Sequence, residues 1–138
     1  KGLEIYGKAL EPTHLWTLNT QSNFALMYCE MERFEDAVVW YRKCWTGCCE
    51  SKTLGVDHEE TAYAAYCVGK CLGKLPNRTK ESDVEMEKML RFGIVAYTKN
   101  KLSEDAKDCA KLLVSLFCNQ GRNEDASELI EMHGIGLT

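Results

Sequence analysis

The sequence predicts an all-α fold, an array of stacked helical hairpins with about seven helices. Three observations lead there. Glycine and proline are scarce, ten and two in 138 residues, which disfavours a loop-rich or many-turned β fold. Apolar residues recur at helical spacing, as in Leu18, Phe24, Tyr28 and Met31, followed after a break by Phe34, Ala37, Val38, Tyr41 and Cys44. Finally, the chain repeats itself. Leu10-Glu11-Pro12-Thr13-His14-Leu15-Trp16-Thr17 returns as Leu54-Gly55-Val56-Asp57-His58-Glu59-Glu60-Thr61 at an offset of 44. Arg33-Phe34-Glu35-Asp36-Ala37 returns as Arg122-Asn123-Glu124-Asp125-Ala126 at an offset of 89. A fixed period of this size is the signature of units that bury their apolar faces only by stacking on neighbours.

Taken in order, the pattern predicts helices near 1–10, 15–31, 34–54, 59–75, 79–99, 104–120 and 123–133. The first reads as the second helix of a cut repeat. The helices at 15–31 and 34–54 follow from the two apolar stripes. Asp57 with Glu60 three residues on has capping-box spacing and opens the fourth. Pro76 occupies the turn position held by Glu32 and Gly121 in the other copies, where proline or glycine is expected. Ser103 followed by Glu104-Asp105 places a cap and acids at the start of the sixth. Gly134 and Gly136 follow His133 and end the last. Small residues recur where paired helices must approach closely, at Ala25, Gly69 and Val114 and at Ala37, Ser82 and Ala126. A single domain over 1–138 follows, with a cut repeat at 1–10 and repeats at 11–54, 55–99 and 100–133. Lys1-Gly2-Leu3-Glu4 reads as mid-element sequence, so a fragment of a longer protein is expected.

This pattern resembles the tetratricopeptide repeat, with a period longer than the ~34 residues of the standard unit. Leu54-Gly55-Val56-Asp57-His58-Glu59-Glu60-Thr61, Asn23-Phe24-Ala25 and Arg33-Phe34-Glu35-Asp36-Ala37 are similar to the long repeats of the kinesin-light-chain type. The second copy departs with Cys67 and Ser82, and the third linker carries Ser103 in place of histidine. The resemblance implies a right-handed α-solenoid whose first helices line a concave face that binds protein or peptide segments.

Composition narrows the function. With 17 basic and 21 acidic residues the net charge is −4, against a general phosphate-backbone binder, so no nucleic-acid partner is expected. No apolar run approaches the ~18 residues of a membrane helix, so no membrane partner is expected either. Eight cysteines lie within helical patterns and are read as reduced, packing thiols, which places the chain in the cytoplasm. Cys44/Cys48 and Cys67/Cys71 each share a helix face and together suggest a tetrahedral thiolate site only weakly; no metal and no cofactor is expected. Cys29 and Cys118 share one repeat position, which again reads as packing. His14 and His58 recur at the repeat period, as linker-packing residues do and catalytic ones have no reason to. No catalytic constellation is assembled, and a non-enzymatic protein is expected. Asn77-Arg78-Thr79 is a formal glycosylation sequon without meaning in that compartment. The acidic clusters Glu30/Glu32/Glu35/Asp36 and Glu81/Asp83/Glu85/Glu87 read as solvated helix faces.

If the first helices line one face, its open positions are Asn19, Ser22, Leu26 and Cys29, then Tyr63, Tyr66, Lys70 and Lys74, then Asp108, Lys111, Ser115 and Asn119. From these, Asn19, Ser22, Tyr63, Tyr66, Lys70, Lys74, Lys111 and Asn119 form the candidate peptide groove. Tyrosines beside lysines and amides suit an extended acidic segment. The expected role is therefore an adaptor or scaffold arm that binds protein. The alternatives are a self-associating array joined through its repeat ends, giving a homo-oligomer, and a cysteine-based metal or redox module.

Overall fold

A computed structural model describes residues 14–135; the helix expected at 1–10 lies outside them. Among the described residues there are six helices and no strand: α1 Leu15–Glu30, α2 Phe34–Glu50, α3 Glu59–Leu72, α4 Lys80–Lys99, α5 Ser103–Asn119 and α6 Asn123–His133. Each helix packs along its successor, and pairs further apart in sequence barely touch. This is the one-dimensional contact pattern of a helical solenoid.

Small residues set the closest helix contacts, around larger sealed side chains such as Met89, Leu90, Leu113 and Phe117. Ala25 and Ala37 are wholly buried between α1 and α2, and Ala126 holds the matching place in α6. Gly69 meets α4 at a distance only glycine allows, since a Cβ there would fall 2.7 Å from a methyl carbon of Leu90. Val114 is only partly buried. Ser82 departs from the expected contact role. It is partly exposed, and its hydroxyl is engaged in capping. Met31, assigned to the apolar stripe of α1, is 53% exposed, because it lies past the last turn as the C-cap.

Helix ends correct several expectations. The first helices α1 and α3 are capped by His14 and His58, whose Nδ1 atoms accept from Trp16 N at 3.1 Å and Glu60 N at 3.0 Å. The histidines recur because they close orphan amides, not because they pack in a linker. Asp57 lies outside that cap and instead pairs with Lys99 at 3.0 Å. α5 starts at Ser103 itself, after Leu102, with no side-chain cap. The capping box is in α4, where Thr79 Oγ1 accepts from Ser82 N and Ser82 Oγ accepts from Thr79 N. α2 stops at Glu50, short of 54, because Ser51 Oγ takes the amides of Thr53 and Leu54 and turns the chain.

The short turns share one form. After α1, α4 and α5 the chain reverses over three residues with a left-handed centre, Glu32 at φ 57°, Lys101 at φ 61° and Gly121 at φ 74°. Each is closed by an amide donating five residues back, Arg33 N to Tyr28 O and Arg122 N to Phe117 O at 2.8 Å and Leu102 N to Tyr97 O at 2.9 Å. Proline has its φ locked near −65° and cannot take that conformation. Pro76 therefore belongs to a different and longer linker, 73–79, in which no residue has positive φ. Proline and glycine at the aligned position are not interchangeable solutions here.

Candidate functional site

α1 and α3 run side by side over α2 and leave a cleft between them. One part of it is a cavity of about 370 Å3 lined by Leu26 and Cys29 from α1, Phe34 and Tyr41 from α2, and Tyr63, Tyr66, Cys67, Lys70, Cys71 and Lys74 from the α3 side. Glu32, in the α1–α2 turn, closes its end. A second cavity of about 280 Å3 shares Tyr41 and Tyr63 with the first and extends past Asn19, Ser22, Leu54 and His58. The helical period explains the composition. Tyr63, Tyr66 and Lys70 advance by three and four residues, so α3 presents them along one edge while Ala62, Ala65 and Val68 face the core, and Lys74 follows in the turn past the end of α3.

The structure thus gathers six of the eight sequence candidates on two adjoining cavities. Tyr63, Tyr66, Lys70 and Lys74 line the larger; Asn19 and Ser22 share the smaller with Tyr63. Lys111 and Asn119 are exposed on α5 but line neither. Sequence reasoning missed Tyr41 and Phe34, which it gave entirely to the α2 core stripe. A buried tyrosine on such a stripe was the available signal, since its hydroxyl must find a polar partner.

Charge in the cleft is uneven. The Lys70 ammonium lies 5.8 Å over the Tyr66 ring and that of Lys74 lies 5.3 Å over Phe34. None of the ion pairs among the described residues involves Lys70, Lys74 or Lys111. Glu32 puts negative charge in the same cavity as Lys70 and Lys74, and Glu60 puts it in the smaller one. Below the rim the polar groups are held neutral. Burial pushes the Cys67 thiol up to about 11. The neighbouring Cys67 charge, with burial, pushes the Tyr63 phenol up to about 12. Burial also raises Tyr41. The walls therefore offer apolar and neutral hydrogen-bonding surface, with cationic character confined to the α3 end.

The cysteines do not assemble as paired helix-face ligands. Cys44 donates to Leu18 O at 3.6 Å, and the Cys71 sulfur meets Cys29 rather than a facing pair. Among the described residues no group of three or more histidine, cysteine or acidic side chains is placed to hold a metal. Cys118 is exposed on α5, whereas Cys29, at the matching position of α1, is partly buried. The acidic clusters are not simply solvated. Glu85 binds Arg42 of α2 through two hydrogen bonds of 2.7 and 2.8 Å. Glu87 binds Arg91 at 2.9 Å and Arg122 at 2.7 Å, and Asp36 and Asp83 pair with Arg33 and Arg78. No described helix is long and apolar enough to cross a membrane.

Among known proteins, the tetratricopeptide repeat family model matches residues 17–60, from the first turn of α1 through α2 into the first turn of α3. No curated protein and no solved structure matches the chain. Repeats of this kind generally serve protein–protein interaction rather than catalysis. The all-helical array, its period and the matched segment agree: residues 17–60 carry a repeat of the tetratricopeptide type.

Proposed function

We propose that this protein is a non-enzymatic binding module that holds an extended peptide segment in the cleft between α1 and α3, as an arm of a larger assembly. The observation that carries this reading is the pair of adjoining cavities that share Tyr41 and Tyr63, the larger of which is lined by Lys70 and Lys74. An extended peptide fits a trough with apolar walls and scattered hydrogen-bonding groups better than a compact ligand does. Its acidic residues belong at the Lys70/Lys74 end, away from Glu60. Tyr63 and Tyr66 supply contact area, with ring centroids 6.4 Å apart. Lys111 and Asn119 become outlying contacts for a longer segment that continues onto α5. In this proposal the chain forms one array with repeats at 11–54, 55–99 and 100–133, of the long-linker kind, and works in the cytoplasm.

The test is selection from a peptide display library, followed by fluorescence anisotropy with the winning sequence. Acid-containing peptides are expected, with affinity that weakens modestly as salt rises because few lysines take part. Lys70→Glu with Lys74→Glu should abolish binding while circular dichroism shows unchanged helix content. Selected peptides lacking acids, or binding indifferent to that double substitution, would overturn the proposal.

A further inference from the structure

The Cys29 and Cys71 sulfurs, contributed by the last turns of α1 and α3, lie 3.4 Å apart on the floor of the cleft. We propose that they form a redox-modification site: peroxide oxidises the pair to an intramolecular disulfide that ties α1 to α3.

Several features make this pair different from the other thiols. The residues are 42 apart in sequence and belong to different hairpins, so their contact is tertiary. The sulfurs need to approach by roughly 1.4 Å to reach the ~2.05 Å of a disulfide, a movement within the reach of side-chain rotation. The two thiols also differ in access. Cys29 is partly exposed, whereas Cys71 is 3% exposed and reachable only through the cavity. Burial raises the Cys71 thiol and its closeness to Cys29 raises it further, while Lys74 opposes this. Cys29 is accordingly the nucleophile and Cys71 the resolving thiol.

The chemistry balances in two steps. The Cys29 thiolate attacks one oxygen of hydrogen peroxide; the O–O bond breaks and, after proton uptake, sulfenic acid and one water result. The Cys71 sulfur then attacks the Cys29 sulfenic sulfur, the S–O bond breaks, and the Cys71 proton leaves with the hydroxyl as a second water. Two thiols are oxidised and one peroxide is reduced. The inference does not depend on peptide binding; it concerns the same cleft and is read by a separate measurement.

The experiment treats the folded Cys118→Ser protein with hydrogen peroxide, blocks free thiols with N-ethylmaleimide, and maps tryptic peptides without reduction. Cleavage after Lys70 and Lys74 isolates Cys71-Leu-Gly-Lys74 as a peptide with one thiol. That tetrapeptide is expected to disappear and to reappear joined to the peptide ending at Arg33, reversibly with dithiothreitol. In Cys71→Ala, dimedone should label Cys29 as the trapped sulfenic acid. A maleimide-blocked Cys71 after peroxide treatment, or its linkage to any cysteine other than Cys29, would overturn the proposal.

Discussion

α1 and α5 occupy the same place in their hairpins and yet are buried very differently. At the end of α5, Phe117 is 0% exposed, and Cys109, Leu113 and Leu116 are sealed beneath it. At the end of α1, Tyr28, the residue matching Phe117, is half-buried, and Leu26 and Met27 next to it are 51% and 44% exposed. The local corner is nonetheless the same. Arg33 covers Tyr28 at 5.1 Å and pairs with Asp36 at 2.7 Å; Arg122 covers Phe117 at 4.2 Å and pairs with Asp125 at 2.8 Å. What differs is the preceding hairpin. α4 also sends Arg91 over Phe117, 5.4 Å from the ring centroid, and Glu87 to Arg122, whereas among the described residues Arg33 closes only on its own Asp36. The repeat template sets the corner; the neighbour decides whether it becomes core or surface.

The largest test of this contrast is Phe117→Ala against Tyr28→Ala. The first should cost about 3–5 kcal/mol in chemical denaturation, the second about 1 kcal/mol, since little of the Tyr28 contact lies in sealed core. Equal costs would break the comparison. Next is Ala37→Leu, expected to overpack α1 against α2 and cost about 1–3 kcal/mol. Ser82→Leu, at the aligned but partly exposed position, should cost about 1 kcal/mol through the lost cap alone.

Smaller effects sharpen the turns. Gly121→Ala meets no neighbouring atom, so its cost, about 1 kcal/mol, is purely that of a side chain in the left-handed region. The opposite change at the matching turn, Glu32→Gly, should raise the melting temperature slightly, by about 0.5 kcal/mol in stability, as strain is relieved against added chain freedom. Acid titration gives the smallest effect. Hydrogen bonding from Arg122, with help from Arg91, holds the Glu87 carboxyl below its ordinary value of 4.5. A lowered folded-state value means stability that is present above the unfolded value and lost as pH falls through the folded one. Glu87→Gln should therefore flatten the acid limb of a stability–pH curve followed by chemical denaturation.

Much of this was legible from the chain. Helix positions followed from period and small-residue spacing, as Ala25, Ala37 and Ala126 illustrate, because those features report directly on close packing. The cap assignments were less legible. Asp57 and Ser103 carry the preferred residue types, but His58 and Leu102 occupy the cap geometry, which depends on backbone direction and not on composition. In the cleft, the α3 edge from Tyr63 to Lys70 was readable as a helical face. The floor was not, since Tyr41, Phe34 and the Cys29–Cys71 contact arise only when separate hairpins are brought together.

The linker at 73–79 bears on how the chain acquires its structure. α4 receives no propagated turn from α3 across Pro76, yet it is the longest described helix. Its start is closed by the Thr79–Ser82 capping box, and its end by Asn100, whose Nδ2 donates to Ala96 O and Asp57 O. Starting a helix is the costly step, and the local caps, the Thr79–Ser82 box and the Asn100 bond to Ala96 O, lower that cost before tertiary contacts such as the Asn100 bond to Asp57 O exist. α4 is thus equipped to nucleate independently, with α3 and α5 condensing on its two sides and the outer helices joining later. Kinetic φ-values should accordingly be highest in α4 and fall toward α1 and α6.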